Sequence, residues 1–214
     1  ACMVLMQGAL WKIYEAHRLG LDKKEHKISR GYTWLFWLAM TAGVLIKGIT
    51  PLVGFLSILF IFIFDRSFSL WSKLKPVSGI SILILLTALW LIPMSIDGNS
   101  NFLWDMVHGD VLPKLAGGQE SHGAWPGYFL LLSPLLLFPA SLWLPQGIKL
   151  AWLDRHKVHM RFLLAWTLPV WIFFECVPTK LPQYVLPVFP AICLILSMAV
   201  LRIITVQSNW KYLV

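Results

Sequence analysis

Residues 180–190 read Lys-Leu-Pro-Gln-Tyr-Val-Leu-Pro-Val-Phe-Pro, which places a cation, an amide and a phenol within five residues, just ahead of an apolar run opened by prolines. This combination suits recognition of an anion at a membrane boundary: Lys180 supplies charge, and Gln183 and Tyr184 supply hydrogen bonds. Glu175, five residues earlier, is the competing partner, able to neutralise Lys180 in a structural ion pair. Lys47 is a second boundary cation, with two readings: a lipid-phosphate ligand, or a helix-end lysine whose stem lies in lipid while its ammonium reaches the headgroups. A third group, Glu120, His122, Trp125 and Tyr128, combines a carboxylate, an imidazole and aromatic faces. His122 is a candidate for a direct role, against the common reading of a loop histidine as solvated, and Trp125 is more simply an interfacial belt residue. Asp105, His108 and Asp110 match no strong ligand spacing, so no metal site is assigned to them. Neither a Gly-rich phosphate loop, a Ser elbow nor a Cys pair occurs, which argues against soluble nucleotide chemistry.

The elements that must position these groups are membrane spans. Hydrophobic residues make up 58% of the 214 and charged residues 13%, about half of what a soluble domain carries; mean hydropathy is +0.71. The apolar runs around 80–92, 128–144 and 185–201 exceed what a soluble core of this size could bury, so lipid must solvate them. The expected fold is an all-α integral membrane protein: a polytopic bundle of about six spans, at 31–47, 48–64, 77–96, 124–144, 162–177 and 185–204, plus a partial span at 1–14. The whole chain reads as a single transmembrane domain with one sizeable external loop at about 97–123. Residue 1 falls inside an apolar stretch without a signal-peptide pattern, so the sequence reads as part of a longer membrane domain. Lys47-Gly-Ile-Thr-Pro51 is the expected hairpin turn, since Gly permits a tight turn and Pro can open the next helix. Cys2, Cys176 and Cys193 sit in or beside apolar runs and suggest small buried hydrophobes, not disulfides.

The formal charge of +8 reflects topology, not nucleic-acid binding. Fourteen of the eighteen basic residues fall in alternate connections and the tail: Arg18 to Arg30, Arg66 to Lys75, Lys149 to Arg161, then Arg202 and Lys211. Those connections are expected to be cytoplasmic. Lys47, Lys180 and the loop carrying Glu120 and His122 then share the external face.

These residues carry a resemblance. The 180–190 segment resembles the Lys-x-Pro-His-Tyr-x-Leu-Pro-x-x-Pro signature of the ArnT-like and protein-mannosyltransferase-like membrane glycosyltransferases of GT-C type. Residues 117–128, Gly-Gly-Gln-Glu-Ser-His-Gly-Ala-Trp-Pro-Gly-Tyr, followed by Phe138-Pro139, are similar to the segment such enzymes carry between an external loop and the next helix. Residues 44–48, Val-Leu-Ile-Lys-Gly, are similar to their Leu-x-Lys-Gly hairpin. The three matches occur in the family's order and cover most of residues 31–200.

The resemblance implies an inverting glycosyltransferase that takes a sugar from an undecaprenyl- or dolichyl-phosphate donor. The acceptor would be a lipid such as lipid A, a protein hydroxyl or a glycan on the periplasmic or lumenal side. A bacterial inner membrane is the expected home, with the endoplasmic reticulum second. Lys47 and Lys180 would bind donor phosphate, and His122, Gln183, Tyr184 and Glu120 would bind phosphate or sugar. The family's general base is an acidic residue after its first transmembrane helix, in a region expected to precede residue 1, so no catalytic residue is assigned here. Gln183 replaces the family's histidine, which keeps hydrogen bonding and loses a titratable ring. No cofactor is assigned, with a divalent metal left open. Expected partners are the polyprenyl-linked sugar, its acceptor and membrane lipid, and no nucleic acid. Two other readings stand beside this one. A transporter or flippase component would place charge at mid-bilayer, and a non-catalytic scaffold would tolerate change at Lys47, Lys180 and His122.

Overall fold

The computed structural model describes residues 1–20, 26–46, 48, 50–96 and 125–210. Apart from one isolated bridge residue, Thr179, regular structure among them is helical. In chain order the helices are α1 (Cys2–Arg18), α2 (His26–Ile46), α3 (Thr50–Asp65), α4 (Ser69–Leu74), α5 (Pro76–Ile96), α6 (Tyr128–Leu136), α7 (Leu144–Leu153), α8 (Val158–Cys176) and α9 (Phe189–Trp210). Short 3-10 turns at Ala140–Trp143, Pro182–Tyr184 and Leu186–Val188 link the later ones.

Each of the first three helices buries one stripe at helical spacing. In α1 it is Met6, Leu10, Ile13 and Tyr14; in α2 Thr33, Phe36, Trp37 and Met40; in α3 Val53, Gly54, Ser57, Ile58 and Ile61. Where lipid is the solvent, helices gain little by hiding apolar surface, so close packing and interhelical hydrogen bonds must hold them together. Both are present. A β-carbon on Gly54 would come within 2.7 Å of the Met40 methyl, and one on Gly79 within 1.9 Å of the Trp37 ring, so α2 packs closely on α3 and meets α5 at a distance that only glycine allows. Trp37 also donates from its indole N–H to the Leu74 carbonyl at 2.7 Å, and the buried Gln7 amide donates to Ser57 Oγ at 2.8 Å, tying α1 to α3.

The hairpin expected at residues 47–51 is present: α2 ends at Ile46, and α3 begins at Thr50 with Pro51 in its first turn, where the missing N–H removes no helical bond. A β-carbon on Gly43 would come within 2.3 Å of the Thr50 methyl, so the hairpin closes tightly against this glycine. Lys47 itself lies outside the described residues, as does the external loop at 97–123.

The apolar run at 124–144 does not form the single straight span expected. It divides into α6 and a second segment, Ala140–Leu153, whose axes differ by 112°. Pro139 breaks it, because proline donates no hydrogen bond and disfavours helix in the residue before it. The second segment runs alongside α9 in the same direction, since Gly147 packs on Leu196 and Asp154 reaches Arg202. By length and composition two stretches can cross a membrane, Pro76–Pro93 and Pro182–Thr205, or three if the bent pair counts as one. These helices make the chain a membrane protein.

The three thiols are free, but Cys176 and Cys193 are exposed at the protein surface, so the expectation of burial fails for both.

Candidate functional site

The last turn of α8 contains a charge in a position its own helix disfavours. Glu175 lies where the α8 carbonyls concentrate negative potential, so it must find compensation elsewhere. That compensation comes from the start of α6. Glu175 Oε2 accepts the Gly127 N–H at 2.9 Å, and Oε1 accepts the Leu130 N–H at 3.0 Å. α6 has no acidic residue in its first turn and no capping side chain on its own N-cap residue, so a carboxylate from another helix serves its free N–H groups. Gly127 has φ +107°, a conformation natural to glycine, and the Trp125 ring packs so close that a β-carbon there would meet it at 2.6 Å.

Lys180 completes the reciprocal arrangement. Its buried ammonium donates to the Phe174 carbonyl at 2.9 Å and to the Glu175 carbonyl, two acceptors left open by the end of α8. It stands 3.7 Å from Glu175 Oε2 and 5.3 Å from the centroid of the buried Phe129 ring. One residue of α8 therefore caps the start of α6, while Lys180 caps the end of α8.

This arrangement fixes the segment that follows. Tyr184 packs its ring on Phe174, centroids 5.3 Å apart, and the Trp166 indole donates to the Pro187 carbonyl at 3.0 Å. Between those two anchors the 3-10 turns present Gln183 and Tyr184 to a cleft of about 410 Å³. Gly43, Ile46 and Thr50 of the hairpin form part of its opposite side, with Val4 and Pro190 nearby. The cleft is mostly apolar, with polar groups gathered from the Gln183–Tyr184 side and Thr50.

The candidates from sequence fall into three sets. Gln183 and Tyr184 line the cleft, and Ile46, the residue before Lys47, lines it too. Lys180 is placed behind the cleft wall and not among its lining residues. Lys47, Glu120 and His122 lie outside the described residues, together with Asp105, His108 and Asp110. The described edge of their loop, Trp125 to Gly127, abuts Glu175. Among the described residues no group of three His, Cys, Asp or Glu could hold a metal.

Sequence reasoning missed that Glu175 binds backbone N–H groups 45 and 48 residues away. Two signals were available: an acid in the last turn of an apolar helix, and an apolar helix starting after Gly127 without a capping side chain.

The opposite end of the bundle is built differently. Arg161 and Arg18 converge on Asp65 at 2.8 and 3.8 Å, and Lys157 and Arg202 on Asp154 at 2.9 and 3.5 Å. The Lys157 hydrogen bond, then the charges of Lys157 and Arg202, hold the Asp154 carboxyl below its ordinary range despite some desolvation.

No family model matches the chain. Among curated relatives, an undecaprenyl phosphate-alpha-4-amino-4-deoxy-L-arabinose arabinosyl transferase of Erwinia tasmaniensis is 30% identical over 171 residues, covering 76% of this chain and 30% of its own length. Transferases of the same name from Pseudomonas fluorescens and Pseudomonas aeruginosa are 28% and 26% identical, over 67% and 91% of this chain. The crystal structure of ArnT from Cupriavidus metallidurans bound to undecaprenyl phosphate superimposes with a TM-score of 0.70 at 22% identity, over 79% of this chain and 31% of that one. Its apo form gives 0.71 at 20% identity, over 93% and 36%. The chain spans about a third of the length of the proteins it matches. Its resemblance to the ArnT-like GT-C transferases holds in sequence and in fold.

Proposed function

We propose that this chain forms the donor-phosphate side of a membrane glycosyltransferase that uses a polyprenyl-phosphate-linked sugar. The observation carrying this reading is the cleft where Gln183 and Tyr184 face the hairpin that leads into Lys47. Its apolar walls suit a prenyl chain, and its polar side suits a phosphate. The relatives' names favour undecaprenyl phosphate as carrier and an aminoarabinose as sugar. The acceptor stays open among lipid A, a protein hydroxyl and a glycan.

In this reading the bond between the anomeric carbon and the phosphate oxygen breaks, and its electron pair leaves with the polyprenyl phosphate. An acceptor hydroxyl oxygen bonds to the same carbon from the opposite face, with inversion, and its proton passes to a carboxylate. The family resemblance puts that carboxylate on an external loop not assigned within these residues. Negative charge grows on the departing phosphate, so Lys47 and the donors of Gln183 and Tyr184 bind it more strongly in the transition state than in the ground state. His122 and Glu120 are assigned to the sugar or phosphate from the external loop. The cleft would face the periplasm of a bacterial inner membrane, which agrees with the arginine- and lysine-rich end lying at the far side of the bundle.

The test is Lys47→Ala in the intact enzyme, assayed for transfer from undecaprenyl-phosphate-linked aminoarabinose. Turnover should fall about 100-fold, the usual effect of removing one transition-state donor. Turnover equal to wild type would remove the cleft from the reaction.

A further inference from the structure

We infer that Glu175 is a positioning residue for the donor cleft, and that the buried Lys180 acts through it and not by touching donor phosphate. The inference rests on the reading of the cleft as the donor site. It begins from how completely the ammonium of Lys180 is already engaged. Two helix-terminal carbonyls, a carboxylate and an aromatic face surround it, and the side chain is almost wholly inaccessible. A phosphate could reach this ammonium only by displacing those partners.

The same contacts define a chain of rigid connections ending in the cleft. Gly127 and Leu130 hold the Glu175 carboxylate from one side, and Lys180 holds it from the other. Lys180 fixes the chain three and four residues ahead of Gln183 and Tyr184. Phe174, whose carbonyl receives the Lys180 ammonium, is also the residue whose ring carries Tyr184, and it lines the cleft. A change in the Glu175 to Lys180 pair therefore displaces Phe174 and Tyr184 together. Because Glu175 also holds the start of α6, the pair sets the separation between that helix end and the cleft wall. Gly127 and Leu130 at the start of α6 and the wall's Gln183 and Tyr184 thus depend on one carboxylate for their relative placement.

The experiment compares Glu175→Gln, Lys180→Met and the double variant in the intact enzyme. Donor KM and kcat are read separately, and the unfolding midpoint is followed in detergent. A positioning role predicts that each single variant raises donor KM about tenfold or more while kcat falls less than threefold. It also predicts that the double variant is no worse than the more severe single one, because both changes cut the same connection. A merely structural role lowers the folded fraction and hence the apparent kcat, and leaves the KM of the surviving enzyme unchanged; that result overturns the inference. Direct binding of leaving phosphate by Lys180 predicts a fall in kcat of about 100-fold in Lys180→Met, undiminished in the Glu175→Gln background; that result overturns it too. Should Glu175→Gln fail to accumulate, Glu175→Asp keeps the charge but is too short to span Gly127, Leu130 and Lys180 together, and the same KM criterion applies. Lys47→Ala run alongside separates the two claims. If it is inert, the cleft reading fails; if it is impaired while Glu175→Gln has wild-type KM, only the positioning inference fails.

Discussion

The two ends of the bundle both use a carboxylate shared between partners, yet to opposite physical effect. At the cleft end Glu175 and Lys180 form one buried pair that draws on backbone groups of two helix termini, the α6 N–H groups on the carboxylate and the α8 carbonyls on the ammonium. At the other end Asp65 and Asp154 each draw in two cations, and most of those cations reach solvent or headgroups. A single buried pair gains little net energy over apolar packing but enforces geometry, because either partner alone is an uncompensated charge. A cluster of arginines and lysines at the membrane edge enforces orientation across the membrane and tolerates the loss of an exposed member.

Replacing Glu175 with Ala attacks the buried end most directly. It strands the Lys180 ammonium and two N–H groups, and should destabilise the protein by about 3–5 kcal/mol, seen as a lower unfolding midpoint and poor recovery in detergent. An unchanged midpoint would mean that this end is held by apolar packing alone, and the contrast between the ends would disappear. Arg161→Ala comes next: Asp65 is 7% exposed and, among the described residues, would keep Arg18 as its one cation, at 3.8 Å, so a loss of about 1–3 kcal/mol is expected by the same measurement. A loss as large as that for Glu175→Ala would make the two ends alike.

Arg202→Ala should change stability by less than about 1 kcal/mol, because its side chain is 54% exposed and Lys157 remains on Asp154. The smallest effect is in pH dependence. The Asp154 carboxyl titrates below its unfolded value, so its ionised pair contributes stability above the ordinary carboxylate range and loses it as pH falls through the depressed folded value. The difference in midpoint between wild type and Asp154→Asn should be present at neutral pH and shrink at about pH 4 and below. A difference that grows on acidification would reverse the sign and refute the assignment.

Local rules carried much of the fold. Gly48 and Pro51 marked the hairpin, and continuous apolar runs marked α3, α5 and α9 close to where they lie. The division of residues 124–144 was harder to read, because apolarity is continuous through it. Only the recurrence of Pro134, Pro139 and Pro145 signalled that one helix could not run through. The α7 helix fell in what read as a basic connection, since Gln146 and Lys149 mask a face formed by Gly147 and Leu150 that packs on α9. At the site, the Glu175 to Lys180 pairing was visible as a spacing of five, whereas the caps on Gly127 and Leu130 depend on tertiary placement that no window of sequence contains.

The remote cap also imposes an order on how the protein is made. Leu130 leaves the ribosome 45 residues before Glu175 exists, a delay of about 2–9 s at ordinary rates of synthesis. During that interval α6 has no carboxylate for its first N–H groups, and only water or headgroups can serve them. The segment from Trp125 to Leu136 therefore settles after α8 has been delivered. Assembly of this end of the cleft is thus one of the last events in the biogenesis of the region, timed by the arrival of one glutamate.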